Sequence, residues 1–209
     1  MGELANKPLT ASRVSHFTES IIRDMTRVNN NYGSINMAQG FPDFDPPSTL
    51  IRAAQKSLAN GYNQYTITWG APDLREAIAD KFAWHNGLTA DPDKHITVTC
   101  GGTEGMMATM LAVINPGDEV IIFEPFYENY GPDTLLAGGK PIYVPLHRVG
   151  DAFHFDSDEL RHSFSTRTKA IIVNTPHNPT GKVYSREELY YISELCIEHD
   201  VLALTDEPY

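Results

Sequence analysis

Residues 95–124 read HITVTCGGTEGMMATMLAVINPGDEVIIFE, an apolar run, a glycine pair, a helical stretch and a second apolar run in succession. That order predicts a strand over HITVTC, a helix over TEGMMATMLAVI and a strand over DEVIIFE, which together make one βαβ unit. The alternation continues outward. A helix over YENYGPDTLLAGG leads to a strand in KPIYVPL, Asp156 opens a short helix, and KAIIVNTP and VLALTDE supply two more strands. Between those two a helix is expected from Ser185 to His199, opened by Ser185 and Glu188 at capping-box spacing. Strands that read as unbroken apolar runs, such as VIIF and AIIV, suit a parallel sheet covered on both faces, so the expected fold class is α/β.

Upstream the pattern is helical. Ser12 to Val28 carries Val14, Phe17, Ile21 and Met25 at helical spacing and then gives way to NNNYG. Two further helices are expected after Pro46-Pro47 and after Ala71-Pro72, because a proline in the first turn forfeits no hydrogen bond. Gly61 and Gly87 are their natural stops. Neither an internal repeat nor a low-complexity stretch interrupts the series.

Composition narrows the function classes. With 209 residues, 41% hydrophobic and 21% charged, the chain has the make-up of an ordinary globular protein. A net charge of −11 with no Lys/Arg run gives nothing to drive binding to a phosphate backbone, so nucleic acid is not an expected partner. MGELANKPLT contains no signal-peptide run, and no apolar stretch approaches bilayer length, so no membrane association is expected and the expected address is cytoplasmic. Met1-Gly2 opens like a myristoylation site, but Asn6 stands where that motif needs Ser or Thr. Cys100 and Cys196 form no CxxC pair, and the eight histidines show no HExxH spacing, so no metal site is expected.

Parallel α/β sheets bind ligands beyond the carboxyl ends of their strands, and the polar residues of interest lie there. Gly101-Gly102-Thr103 follow the first strand and open a helix, where free N–H groups and the helix dipole suit an anion; a plain turn is the alternative. Tyr127 follows the second strand, as a packing residue or as a platform for a ring. Asn174 and Asn178 lie in NTPHNPTGK, whose prolines and glycine stiffen the loop. Asp206 closes the last strand, where a carboxylate either caps a neighbouring helix or faces a ligand.

Taken in order, QGFPDF, NQYTITWGAPDLREAI, the glycine turn, EPFY, NTPHNPTGK and TDEPY resemble the successive motifs of the class I/II aminotransferases of pyridoxal-phosphate (PLP) fold type I. The group acting on kynurenine, glutamine or methionine is the most similar in character. The resemblance runs from about Ser12 to Tyr209. It implies that Gly102 and Thr103 give backbone N–H groups to the PLP phosphate, that Tyr127 stacks on the pyridine ring, and that Asp206 pairs with the ring nitrogen. It further implies that Asn178 and Tyr209 bond the phenolic oxygen of the cofactor. On the substrate side it implies Gly40 and Asn178 at the carboxylate, with Asn174 lining the pocket. Tyr65 corresponds to a tyrosine that reaches the phosphate bound in the partner subunit, which implies a homodimer. His177 lies beside Asn178, but in the family the proton shuttle is a lysine.

In the family that lysine, which forms the Schiff base, lies beyond the TDEPY strand, so none of the lysines here matches it and no catalytic residue is assigned. The expectation is therefore the N-terminal half of an enzyme, inactive alone, with residues 1–45 forming an N-terminal arm and part of a small domain. Residues 46–209 would then form the first, incomplete part of the PLP-binding large domain. Amino transfer from an amino acid to a 2-oxo acid is the expected reaction of the parent protein. β-Elimination from a cysteine conjugate on the same fold, or phospholigand binding without catalysis, are the alternatives. Pro208 departs from the family, which more often has an aliphatic residue there, and it stiffens the link between Asp206 and Tyr209.

Overall fold

The computed structural model of the protein describes residues 9–15, 17–40 and 42–209. These fold as two units: Glu19–Thr99 forms one, and Cys100–Tyr209 with the described residues before Glu19 forms the other.

The Glu19–Thr99 unit contains α1 (Ile21–Tyr32), α2 (Ser48–Ala59) and α3 (Pro72–Lys81), the last followed by a π-helical turn at Phe82–Asn86. The first helix is not where the apolar spacing put it. Ser12–Val14 forms only a 3-10 turn, and α1 begins at Ile21 and runs on through the three asparagines. Asparagine lowers helix propensity by only a fraction of a kcal/mol per residue, roughly 0.7 at most. What stops α1 is Gly33, whose φ of 60° turns the chain left-handed while its N–H bonds the Asn29 carbonyl. Pro72 sits in the first turn of α3, as expected, and Gly87 closes the π turn with φ 67°.

Arg75 of α3 is the buried polar anchor of this unit. Its Nε donates to the Gly70 carbonyl at 3.0 Å and its guanidinium pairs with Asp93 at 2.7 Å, with the Pro92 carbonyl also in contact. The expected strand over HITVTC is absent. Val98 N–H donates to the Trp69 carbonyl at 3.0 Å, but no described residue pairs with this segment in a ladder. An apolar run has the pattern of a strand, yet a strand exists only with a partner.

The second unit runs α4 (Gly101–Val113), β1 (Glu119–Glu124), α5 (Tyr130–Leu136), β2 (Lys140–Val149), β3 (Ala152–Phe155), α6 (Ser157–Ser163), β4 (Thr168–Asn174), α7 (Arg186–His199) and β5 (Leu202–Asp206). The sheet order is β3-β2-β1-β4-β5, parallel throughout except for the antiparallel β2–β3 hairpin. This is the expected α/β fold with a mostly parallel sheet. The hairpin was not anticipated: β2 extends to Val149 and turns back through Gly150-Asp151, Gly150 having φ 62°. Its residues, HRVGDAFHF, lack the apolar run that marks the other strands.

Both faces of the central strands β1 and β4 are covered, which is why these two are apolar without alternation through their middles. Ile121, Phe123, Val144, Leu146, Ile171 and Val173 pack on one face with Leu160 of α6 and Ile192 and Leu195 of α7. Val120, Ile122, Ala170 and Ile172 pack on the other with Met110 of α4 and Tyr130 of α5. The caps anticipated from the sequence form. Asp156 accepts from Asp158 and Glu159 N–H at 2.8 and 3.0 Å, and the reciprocal Ser185–Glu188 box closes at 3.1 and 2.8 Å.

Candidate active site

The carboxyl ends of β1, β4 and β5 point to one edge of the sheet, and a cavity of about 260 Å³ opens there, a little below the usual range for small-ligand sites (roughly 300–1,000 Å³). Gly102, Thr103 and Met106 of α4 line it, with Tyr127, Asn129 and Tyr130 from the segment after β1. Asn174, Asn178, Asp206 and Tyr209 complete it from the tips of β4 and β5, with Pro208 beside them. Seven of the residues singled out in the sequence therefore share one cavity: Gly102, Thr103, Tyr127, Asn174, Asn178, Asp206 and Tyr209. Gly40 and Tyr65 belong to the other unit, where both are exposed.

At the α4 end the backbone supplies the chemistry. Gly101 has φ +80°, a left-handed turn that favours glycine. Gly102 has no such constraint, and a Cβ on it would meet no atom within 4 Å, so packing among the described residues does not require glycine there. What its small size provides is close access to the first turn of α4, where the dipole favours a negative group. Cys100, the N-cap residue, places no side-chain acceptor on that turn. The carboxylate of Glu104 folds back to accept from Cys100 N–H, which places its charge at the cap.

The walls are tied together. Tyr127 packs edge-on against Tyr130, ring centroids 5.6 Å apart. Asn129 donates to the hydroxyls of Thr103 and Tyr127 at 3.3 and 3.4 Å, bridging the helix start to the aromatic residue. At the opposite end, the Tyr130 hydroxyl donates to Oδ2 of Asp206 at 2.5 Å, leaving Oδ1 as the oxygen not held by Tyr130. Burial, followed by that hydrogen bond, raises the Tyr130 phenol well above its ordinary range, so Tyr130 is a neutral donor at any working pH.

Asn129 and Tyr130 were not singled out in the sequence. Tyr130 stands three residues after Tyr127 at a helix start, a spacing that brings side chains to one side, but its partner is 76 residues further on. His177, next to Asn178, lies outside the lining. It is buried, its Nδ1 is 2.8 Å from the Thr180 hydroxyl, and burial and Lys182 lower its proton affinity.

A cavity of this kind, at the strand tips of a mostly parallel sheet, defines a small-ligand site of an α/β protein. The description "Aminotransferase class I and II" matches residues 32–209, and the chain belongs to that family, whose members are generally PLP-dependent. It is 40% identical to a probable N-succinyldiaminopimelate aminotransferase, DapC, of Mycobacterium tuberculosis, over 96% of this chain and 51% of the relative. Human kynurenine–oxoglutarate transaminase 1 is 38% identical over 97% of this chain and 51% of that protein. Among solved structures, YbdL of Escherichia coli, for which a methionine aminotransferase function is described, superposes with a TM-score of 0.91 at 35% identity, covering 97% of this chain and 53% of that one. The chain thus spans about half the length of the curated relatives it matches. Among the described residues, no helix is long and apolar enough to cross a membrane.

Proposed function

We propose that the protein carrying this chain is a PLP-dependent aminotransferase that moves an amino group from an amino acid to a 2-oxo acid, and that the cavity at the strand tips is its cofactor site. The observation that carries this reading is the placement of Asp206 in the same cavity as the first turn of α4. PLP needs an anion site for its phosphate, an aromatic plane for its ring and an acid for its ring nitrogen, and the lining supplies each kind of group.

In this reading Gly102 and Thr103 hold the phosphate through their N–H groups, aided by the dipole of α4. Tyr127 stacks on the ring. Asp206, oriented by Tyr130, accepts a hydrogen bond from the protonated ring nitrogen through Oδ1, which keeps the nitrogen cationic. Asn178 and Tyr209 bond the phenolic oxygen, and Asn178 also takes the substrate carboxylate. Tyr65 reaches the phosphate in the partner subunit of a homodimer. When bound, PLP supplies the electron sink that accepts the electron pair left as the amino acid loses its α-proton.

The test is a half-reaction in the intact protein. PLP is added, excess removed, and one amino acid after another is offered while the visible absorbance of the cofactor is followed. A change that a 2-oxo acid reverses, with the amino group recovered on that acid and no ammonia released, supports the proposal. Release of ammonia with no amino transfer would redirect it to β-elimination, and no uptake of PLP would end it.

A further inference from the structure

We infer that Asn174 is a positioning residue, which fixes the spacing between Asp206 and Asn178; it acts on the ligand through those two and makes no substrate contact of its own. The inference rests on the cofactor reading above and deepens it.

Asn174 is the last residue of β4, paired in register with Asp206, the last of β5, and only 2% of its surface is exposed. Both ends of its carboxamide are engaged by backbone. Oδ1 accepts from Asn178 N–H at 2.6 Å, and Nδ2 donates to the Asp206 carbonyl at 2.8 Å. The assignment of oxygen and nitrogen is unambiguous, because the reverse would set N–H against N–H and carbonyl against carbonyl. The Asp206 carbonyl also accepts from Thr175 N–H at 3.1 Å, so two donors from the end of β4 fix the backbone beneath the carboxylate.

Without the Asn174 side chain, the Thr175 bond would still hold the tips of β4 and β5 together. The turn around Asn178 would stay closed by His177 N–H to the Lys182 carbonyl at 2.8 Å and Gly181 N–H to the His177 carbonyl at 2.7 Å, but among the described residues no second acceptor is recorded for the Asn178 N–H itself. Asn178 lies in the turn beyond the strand, and its N–H would lose the acceptor that sets where the side chain points. A single buried amide therefore ties the acid proposed for the ring nitrogen to the amide proposed for the phenolic oxygen. These are different edges of one ring, so an error in their spacing weakens both contacts at once.

The test compares the intact wild-type protein with Asn174→Ala, Asn178→Ala and the double variant, after thermal unfolding has shown each to be folded. Three quantities are read: the PLP dissociation constant of the apo-protein, the pH titration of the bound cofactor's absorbance, and KM for the amino donor. Loss of two buried hydrogen bonds predicts PLP affinity lower by about tenfold in Asn174→Ala. KM for the amino donor should rise no further than in Asn178→Ala, since Asn178 also takes the substrate carboxylate, and the pH titration should move in the direction seen for Asn178→Ala, with the double variant no further displaced.

Asn174→Asp keeps the acceptor for Asn178 N–H but sets a buried carboxylate oxygen against the Asp206 carbonyl, so it should lower PLP affinity at least as far as Asn174→Ala; Asn174→Ser, which adds no buried charge, serves if alanine prevents folding. A raised KM with PLP affinity and titration unchanged would overturn the inference and make Asn174 a substrate contact. Absence of PLP binding by the wild type would instead overturn the cofactor reading itself, and this inference with it.

Discussion

The Tyr130 hydroxyl donates to Oδ2 of Asp206 at 2.5 Å, joining a buried residue of α5 to a carboxylate at the tip of β5. A neutral donor on one oxygen fixes the direction of the other. Tyr130→Phe removes that donor and leaves Oδ2 half-buried without it. A hydrogen bond to a charged group is worth about 1.5–3 kcal/mol. Turnover is therefore expected to fall roughly tenfold or more, with KM changed less than about twofold. Steady-state kinetics of the purified variant check this, and unaltered turnover would reduce the contact to packing.

Asp206→Ala should be more severe. It removes the charge opposite the ring nitrogen, and loss of one such electrostatic group costs on the order of 10²–10³ in rate. Single-turnover measurements should show the proton-abstraction step slowed by at least about 100-fold, while cofactor retention falls much less. Normal single-turnover rates would refute the role.

Tyr127→Ala tests the platform. An aromatic contact is worth about 0.5–1.5 kcal/mol beyond its buried area. PLP retention measured by dialysis is expected to weaken by about tenfold, with a milder effect on rate. Unchanged affinity would return Tyr127 to ordinary core packing.

A fourth prediction concerns stability. Glu119, at the start of β1, is buried and accepts from the Ser165 hydroxyl at 2.5 Å and from Arg167 at 2.7 Å, with Lys140 at 3.6 Å. The Ser165 bond first, then Arg167, holds its carboxyl below the usual glutamate range. A depressed folded-state value means that the stabilisation is present above the unfolded value, about 4.3, and is lost as pH falls through the folded one. Glu119→Gln should therefore cost about 1–2 kcal/mol in urea unfolding at neutral pH. The gap between variant and wild type should close in the acid range, and a gap independent of pH would contradict the assignment.

Much of this architecture is legible before any coordinates, for reasons that can be stated. The strands of residues 119–124 and 168–174 are buried on both faces through their middles, and Val120–Phe123 and Ala170–Val173 are accordingly apolar at every position. The helix from Arg186 begins where a local Ser185–Glu188 contact says it should, because caps depend on near neighbours only. What escapes depends on distant partners. HITVTC has the composition of a strand but no ladder partner among the described residues, and the β3 hairpin is polar yet finds one in β2. In the cavity, the glycine turn, Tyr127, Asn178 and Asp206 were marked by their motifs. Asn129 and Tyr130 were not, since their significance lies in contacts to Thr103 and Asp206, 26 and 76 residues away.

A crystal structure of the intact protein grown with PLP tests the central claim most directly. The account predicts the ring nitrogen within hydrogen-bonding distance of the Asp206 carboxylate, the ring against Tyr127, and the phosphate at the Gly102 and Thr103 amides. A cofactor bound elsewhere, or one whose phosphate and ring nitrogen do not meet those two ends of the same cavity, would contradict it.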